Sequence, residues 1–170
     1  MMDHSMWAVV AEITKLKAGG AFVPLDPAQR AARLEDIVHQ TNATLAISSS
    51  SHVDALSSLV SDVIPMSETS DLLMAPMGTL TPVIHDRTGY VLFTSGSTGR
   101  PKRCVVSYRA LSDVVHQTPA LHIMPESRVL QFASYTYGMS LIEIHCALSV
   151  GATIFVPPNH ERLNELNGVI

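Results

Sequence analysis

The 170-residue chain carries 46% hydrophobic and 15% charged side chains, with a formal net charge of −4 from 11 basic and 15 acidic groups. It offers no basic stripe of the kind that nucleic-acid backbones require, and no apolar run of the roughly 18 residues that span a membrane, so neither is an expected partner. The opening Met1-Met-Asp-His-Ser has no basic stretch leading into an apolar one, so no secretory signal is read and a cytoplasmic location is expected. The length suits one domain with a proper core. So apolar a composition fits either a surface partly covered by something further or a buried parallel sheet. The two cysteines, Cys104 and Cys146, lack ligand spacing and are expected to be buried thiols.

Trp7, Val10, Ala11, Ile13 and Leu16 recur at helical spacing and predict a helix over 6–18, stopped by Gly19 and Gly20. A short strand over 21–24 follows, then a helix over 26–40 whose apolar face is Ala31, Leu34, Ile37 and Val38. Next come a strand over 44–47, a helix over 53–59 and a strand over 62–64. From 65 to 82 the pattern dissolves into Ser, Thr, Met, Gly and Pro, which reads as a surface loop inside one domain. A strand over 90–93 then feeds a glycine-rich loop. Beyond it the pattern predicts a strand over 104–106, a helix over 109–116 and a strand over 128–133. A helix over 140–149, stopped by Gly151, and a strand over 152–156 complete the series. Such alternation implies an α/β fold with a mainly parallel sheet and flanking helices.

The loop Thr94-Ser-Gly-Ser-Thr-Gly-Arg-Pro-Lys102 places hydroxyls and flexible backbone directly after an apolar strand. Glycine lets backbone N–H groups approach an anion closely, the hydroxyls add donors, and Lys102 adds a point charge. Those are the needs of a polyphosphate. The interval between Gly96 and Gly99 is wrong for a Walker A loop, and Arg103 follows Lys102 where that motif has Ser or Thr. A Ser/Gly hairpin turn without chemical consequence is the alternative reading of the same residues.

The string resembles the signature of the adenylate-forming superfamily. Three other stretches agree with it in order and spacing: Trp7-Ala-Val-Val10 with Leu16-Lys-Ala-Gly-Gly-Ala-Phe-Val-Pro-Leu-Asp-Pro27, Phe132-Ala-Ser-Tyr135 with Ser140-Leu-Ile-Glu-Ile144, and Gly151-Ala-Thr-Ile154 with Arg162-Leu-Asn-Glu-Leu166. Together they resemble an adenylation domain of a nonribosomal peptide synthetase of fungal type, over essentially the whole chain. The resemblance implies ATP as co-substrate and attack of a carboxylic acid on its α-phosphorus. It also implies transfer of the acyl group to a phosphopantetheine thiol on a carrier-protein domain of the remaining synthetase. Thr94, Ser95, Gly96, Ser97, Thr98, Gly99 and Lys102 are then the candidate holders of the β- and γ-phosphates.

Domains of this family that load α-amino acids resemble one another at a Phe-Asp-Xaa-Ser segment, whose aspartate pairs with the substrate ammonium. A buried ammonium left without a partner is costly. Here the corresponding run is Tyr137-Gly-Met-Ser140, so Gly138 stands where the acid would be, and Met139 and Ile142 fall on pocket-lining positions. The expected substrate therefore lacks a charged α-amino group. An anthranilate-like aryl acid and a 2-hydroxy acid both fit, and a decayed, unselective site is the alternative. Arg103 replaces the usual glycine after the loop, Tyr108 stands where histidine is common, and Glu143 suggests a capping or orienting role. The eight histidines show no metal-ligand spacing.

Residues 1–170 are thus expected to be a partial adenylation domain, an incomplete N-terminal subdomain truncated at both ends. A Mg²⁺ ligand, the adenine and ribose contacts and a C-terminal lysine are not identified in this chain. Taken alone it is expected to be inactive. Three readings stay open: a fragment of a larger synthetase, a short inactive remnant beside a biosynthetic cluster, or a non-enzymatic module that docks on another protein.

Overall fold

The computed structural model describes residues 1–67, 78, 80, 82–95, 100–159 and 162. Helix α1 (Met6–Lys17) and helix α2 (Ala31–Thr41) precede a parallel pair of strands, β1 (Leu45–Ser48) and β2 (Asp62–Pro65), joined through α3 (Val53–Ser57). Strands β3 (Thr88–Thr94) and β4 (Lys102–Ser107) pair antiparallel, and α4 (Tyr108–His116) follows. Strands β5 (Arg128–Leu130) and β6 (Thr153–Phe155) pair in parallel around a helix, α5, over 139–150. The parallel expectation holds for two of the three pairs. The exception is the pair that carries the glycine-rich loop.

Local chemistry explains where the elements start and stop. Gly19, at φ +73°, provides the left-handed turn after α1, and Gly151, at φ +79°, does the same after α5. The second helix begins later than its composition suggests, because Asp26 and Pro27 build a turn instead. The Asp26 carboxylate accepts from Ala28 N at 2.9 Å and its carbonyl from Gln29 N at 3.0 Å. Ser107 caps α4 by accepting from Ala110 N. The expected strand over 21–24 shrinks to one bridge, in which Phe22 pairs in parallel with Tyr90. Most of the expected loop over 65–82 lies outside the described residues.

Two apolar clusters hold these pieces. Phe22, Tyr90, Leu111 and Leu141 pack under β3, with Leu16, Leu92 and Val106 against them. Gly89 belongs to this packing, since a Cβ there would meet Leu111 Cδ1 at 2.8 Å. Met1, Leu34 and Leu56 form the second cluster beside β1 and β2. Cys146 is buried as expected, but Cys104 is exposed: it lies on β4, whose residues from Lys102 to Val105 all face solvent. Both cysteines are free thiols. Among the described residues no helix is long and apolar enough to cross a membrane.

Candidate functional site

The glycine-rich loop joins two strands of a hairpin. Thr94 and Lys102 are directly opposite each other at its open end, in the last pair of the β3–β4 register. Thr94, Ser95 and Lys102 are all exposed. Gly96, Ser97, Thr98 and Gly99 lie outside the described residues. In a P-loop a strand runs into a helix whose N-terminus faces the phosphates. Here a strand runs into a strand, so any anion at this mouth depends on loop N–H groups, hydroxyls and the lysine.

Helix α2 braces the hairpin from the side. Arg33 Nη2 donates to Phe93 O at 3.5 Å and Gln40 Nε2 to Pro101 O at 3.3 Å. Arg103 returns the contact, donating to Gln40 O at 3.4 Å near the C-terminal end of α2, where carbonyls lack helical partners. Its guanidinium is therefore turned to the helix end. Tyr108 has a comparable tie, since its hydroxyl lies 2.7 Å from Gly20 O and 3.1 Å from Leu16 O and fastens α4 to the end of α1.

The segment after β5 is built differently. Gln131, fully buried, continues the ladder for one bond to Phe155 O and then the chain leaves the sheet. Glu143 collects the departing backbone: it accepts from Phe132 N at 3.1 Å, Ala133 N at 3.0 Å and Gln131 Nε2 at 3.1 Å. Tyr90 O–H donates to Tyr135 O at 2.8 Å, Tyr135 O–H to Ser5 O at 3.0 Å, and Ser140 Oγ to Tyr137 O at 2.8 Å. His4 stacks on Tyr135 with ring centroids 5.0 Å apart, and its Nδ1–H donates to Pro157 O at 2.8 Å. Burial pushes both tyrosine hydroxyls upward in pKa and His4 downward.

Gly138 immediately precedes α5, Met139 is its first residue, one before the expected start at 140, and Ile142 follows within its first turn. Gly138 has φ −58° and ψ −24°, an ordinary helical conformation open to any residue. A Cβ there would meet Leu92 Cδ1 at 3.6 Å, an ordinary contact. The backbone therefore does not demand glycine, and the missing carboxylate is a difference of chemistry alone. That proximity puts Gly138 beside β3, at Leu92, two residues before Thr94. Met139 is 44% exposed and Tyr137 64% exposed, so this apolar surface is open. Ile142 begins a π-helical turn, Ile142–Cys146, inside α5. Such turns are frequent at functional sites, and nothing in the apolar spacing announced this one.

A cavity of about 670 Å³ lies elsewhere, among α1, α2 and β1, and none of the described candidate site residues lines it. No group of three His, Cys, Asp or Glu suited to a metal ion occurs among the described residues.

The family model for AMP-binding enzymes matches residues 1–169. The chain belongs to the AMP-binding enzyme family. Within that family it is 62% identical over 173 aligned residues to the nonribosomal peptide synthetase penN of Penicillium thymicola, a match covering 100% of this chain and 6% of that protein. It is 56% identical over 177 residues to the synthetase asqK of Emericella nidulans, covering 100% of this chain and 7% of that one. The chain thus spans only about 6–7% of the length of these relatives. Among solved structures, the synthetase FmoA3 in its α-methyl-L-serine-AMP-bound form superposes with a TM-score of 0.80 at 27% identity, over 92% of this chain and 17% of that one. The N-terminal subdomain of Klebsiella oxytoca NpsA, in complex with 3-hydroxyanthranilyl-AMSN, superposes with a TM-score of 0.74 at 23% identity, over 92% of this chain and 39% of that one. The latter likeness is one of fold.

Proposed function

We propose that this AMP-binding chain forms part of an adenylation site of a nonribosomal peptide synthetase. In the proposed reaction an acid's carboxylate oxygen attacks the α-phosphorus of ATP. The bond from that phosphorus to the bridging oxygen of the β-phosphate breaks, and pyrophosphate leaves with the negative charge. Thr94, Ser95 and Lys102, with the loop they frame, hold the β- and γ-phosphates as that charge develops. Fixed donors of this kind lower a barrier because they need no reorientation during the reaction. A phosphopantetheine thiol on a carrier domain would then attack the acyl carbonyl, giving up its proton and forming a thioester as the acyl–phosphate bond breaks and AMP leaves. The observation that carries the reading is the placement of Thr94 and Lys102 across one hairpin mouth, next to the start of α5.

The substrate is proposed to lack a charged α-amino group. With glycine at position 138 the side of Leu92 stays open, and a flat or apolar group can lie against it. An ammonium there would meet no carboxylate, at a cost of several kcal/mol if buried. An aryl acid such as anthranilate suits the polarizable Met139, with a 2-hydroxy acid as the second choice.

Residues 1–169 can be exchanged for the matched segment of the Penicillium thymicola synthetase, and ATP–pyrophosphate exchange measured with anthranilate, 2-hydroxyisovalerate and common amino acids. Exchange should favour an acid without an ammonium group, and Gly138→Asp should shift preference towards amino acids. Lys102→Ala should lower exchange by about 100-fold, the usual effect of losing one charge-stabilising donor. Preference for an ordinary α-amino acid with glycine at 138 would sink the substrate assignment. Full activity in Lys102→Ala would sink the phosphate assignment.

A further inference from the structure

The two flanks of the glycine-rich loop are held by one side of one helix. Phe93 immediately precedes Thr94, and Pro101 immediately precedes Lys102. Phe93 O accepts from Arg33 Nη2 at 3.5 Å, and Pro101 O accepts from Gln40 Nε2 at 3.3 Å. Arg33 and Gln40 are seven residues apart on α2, close to two full turns. They therefore leave the helix on the same side, about 10 Å apart along its axis. Because a peptide group is planar, fixing the carbonyl oxygens of Phe93 and Pro101 also fixes the planes on which Thr94 and Lys102 begin.

The helix is itself anchored away from the loop. Leu34, Ile37 and Val38 are buried, Leu34 in the cluster with Met1 and Leu56 beside β1 and β2. Gln40 is held a second time, since its own carbonyl accepts from Arg103 Nη1 at 3.4 Å. That cation lies at the C-terminal end of α2, where the helix dipole favours positive charge. Pro101 is buried and Phe93 half-buried, whereas Thr94, Ser95 and Lys102 are exposed. The grip thus falls on the last covered residue before each exposed donor. At 3.3–3.5 Å these bonds exceed the usual range of about 2.7–3.2 Å, so they direct the two backbones more than they stabilise the fold.

We propose that Arg33 and Gln40 are positioning residues for the adenylation step: α2 is a strut that sets the spacing and direction of Thr94 and Lys102 across the hairpin mouth, without itself touching the nucleotide. This rests on the proposed adenylation, since the strut bears on chemistry only through a loop that holds the β- and γ-phosphates. Fixed donors stabilise developing charge because they need no reorientation, and a misplacement of about 1 Å can cost about 100-fold in rate. Removing one tie leaves the other in place, so each alone is expected to cost about 10-fold. The loss falls on kcat, because the charge concerned develops only in the transition state.

The test uses the same chimera of the Penicillium thymicola synthetase, with ATP–pyrophosphate exchange followed at saturating levels of the acid that the parent chimera prefers. Arg33→Met and Gln40→Met keep an unbranched stem and remove the donor. Each should lower kcat about 10-fold and change the KM for ATP less than about 2-fold. Arg30→Met removes an equal charge from the exposed start of the same helix and should stay within about 2-fold of the parent. The coupling to Lys102 separates positioning from a general loss of structure. In a Lys102→Ala background the Gln40→Met effect should shrink to less than about 3-fold, because no lysine is left to aim. Should Arg33→Met aggregate, Gln40→Met and its coupling to Lys102 decide. Full kcat in both Met variants while Lys102→Ala is impaired would overturn the strut alone, as would an equal loss in Arg30→Met or full additivity with Lys102→Ala. No exchange with any acid, or full activity in Lys102→Ala, would sink the adenylation reading and the strut with it.

Discussion

The hairpin mouth at Thr94 and Lys102 and the segment from Gln131 to Glu143 are neighbours built on opposite plans. At the mouth, the side chains of Thr94 and Ser95 point into solvent. In the 131–143 segment several backbone and side-chain polar groups are engaged within the protein, by Glu143, by the Tyr90 and Tyr135 hydroxyls, and by Ser140. The two plans permit different roles. Donors left outward are available to a ligand, whereas donors spent inside fix the shape of whatever lies beside them. The proposed phosphate contacts belong to the first region, and the proposed pocket residues lie in the second.

Substitution should separate the two plans. The largest effect is expected at Glu143→Ala, which strips an acceptor from two backbone N–H groups and a buried glutamine. A loss of about 3 kcal/mol in urea unfolding is expected, because a charged acceptor is removed and its donors are orphaned. A loss near zero would place the rigidity of this segment in its tyrosines instead.

A smaller effect concerns the two acids that behave unlike one another, Glu143 satisfied and Glu12 not. Burial holds Glu12 protonated up to about 8 against an ordinary 4.5, so the folded chain keeps a proton that the unfolded chain releases. Stability therefore falls as pH rises above 4.5. The Met1 amino group is lowered by burial from 8.0 to about 6, and between those values the unfolded chain binds the extra proton, so stability rises with pH there. The two slopes oppose each other from pH 6 to 8. The net expectation is a loss of up to about 2 kcal/mol between pH 4.5 and 6, followed by a plateau. In Glu12→Gln the early loss should vanish and the later rise appear. Identical pH profiles for the two proteins would show that Glu12 does not set this slope.

Tyr90 belongs to both regions, as a residue of β3 whose hydroxyl reaches Tyr135 O. Tyr90→Phe should cost about 1 kcal/mol, the usual worth of one such bond, and should loosen the 131–137 backbone in amide exchange. The smallest effect is expected at the mouth itself: Ser95→Ala should change stability by less than about 0.5 kcal/mol. A destabilisation like that of Glu143→Ala would mean that the mouth is a structural turn and would reverse the comparison.

By itself the sequence determined the order of elements, the helix stops at Gly19 and Gly151, and the placement of Thr94, Lys102 and Gly138 along the chain. Those features are local, written in periodicity, in glycine conformation and in one long specific string. Tertiary structure decided the rest. That β4 returns antiparallel to β3, leaving Cys104 in solvent, depends on pairing between strands, which a run of apolar residues does not specify. That Gly138 needs no special backbone, and faces Leu92, depends on a contact across nearly fifty positions of chain. That Glu143 gathers the backbone of Phe132 and Ala133 depends on a helix packed against the segment before it.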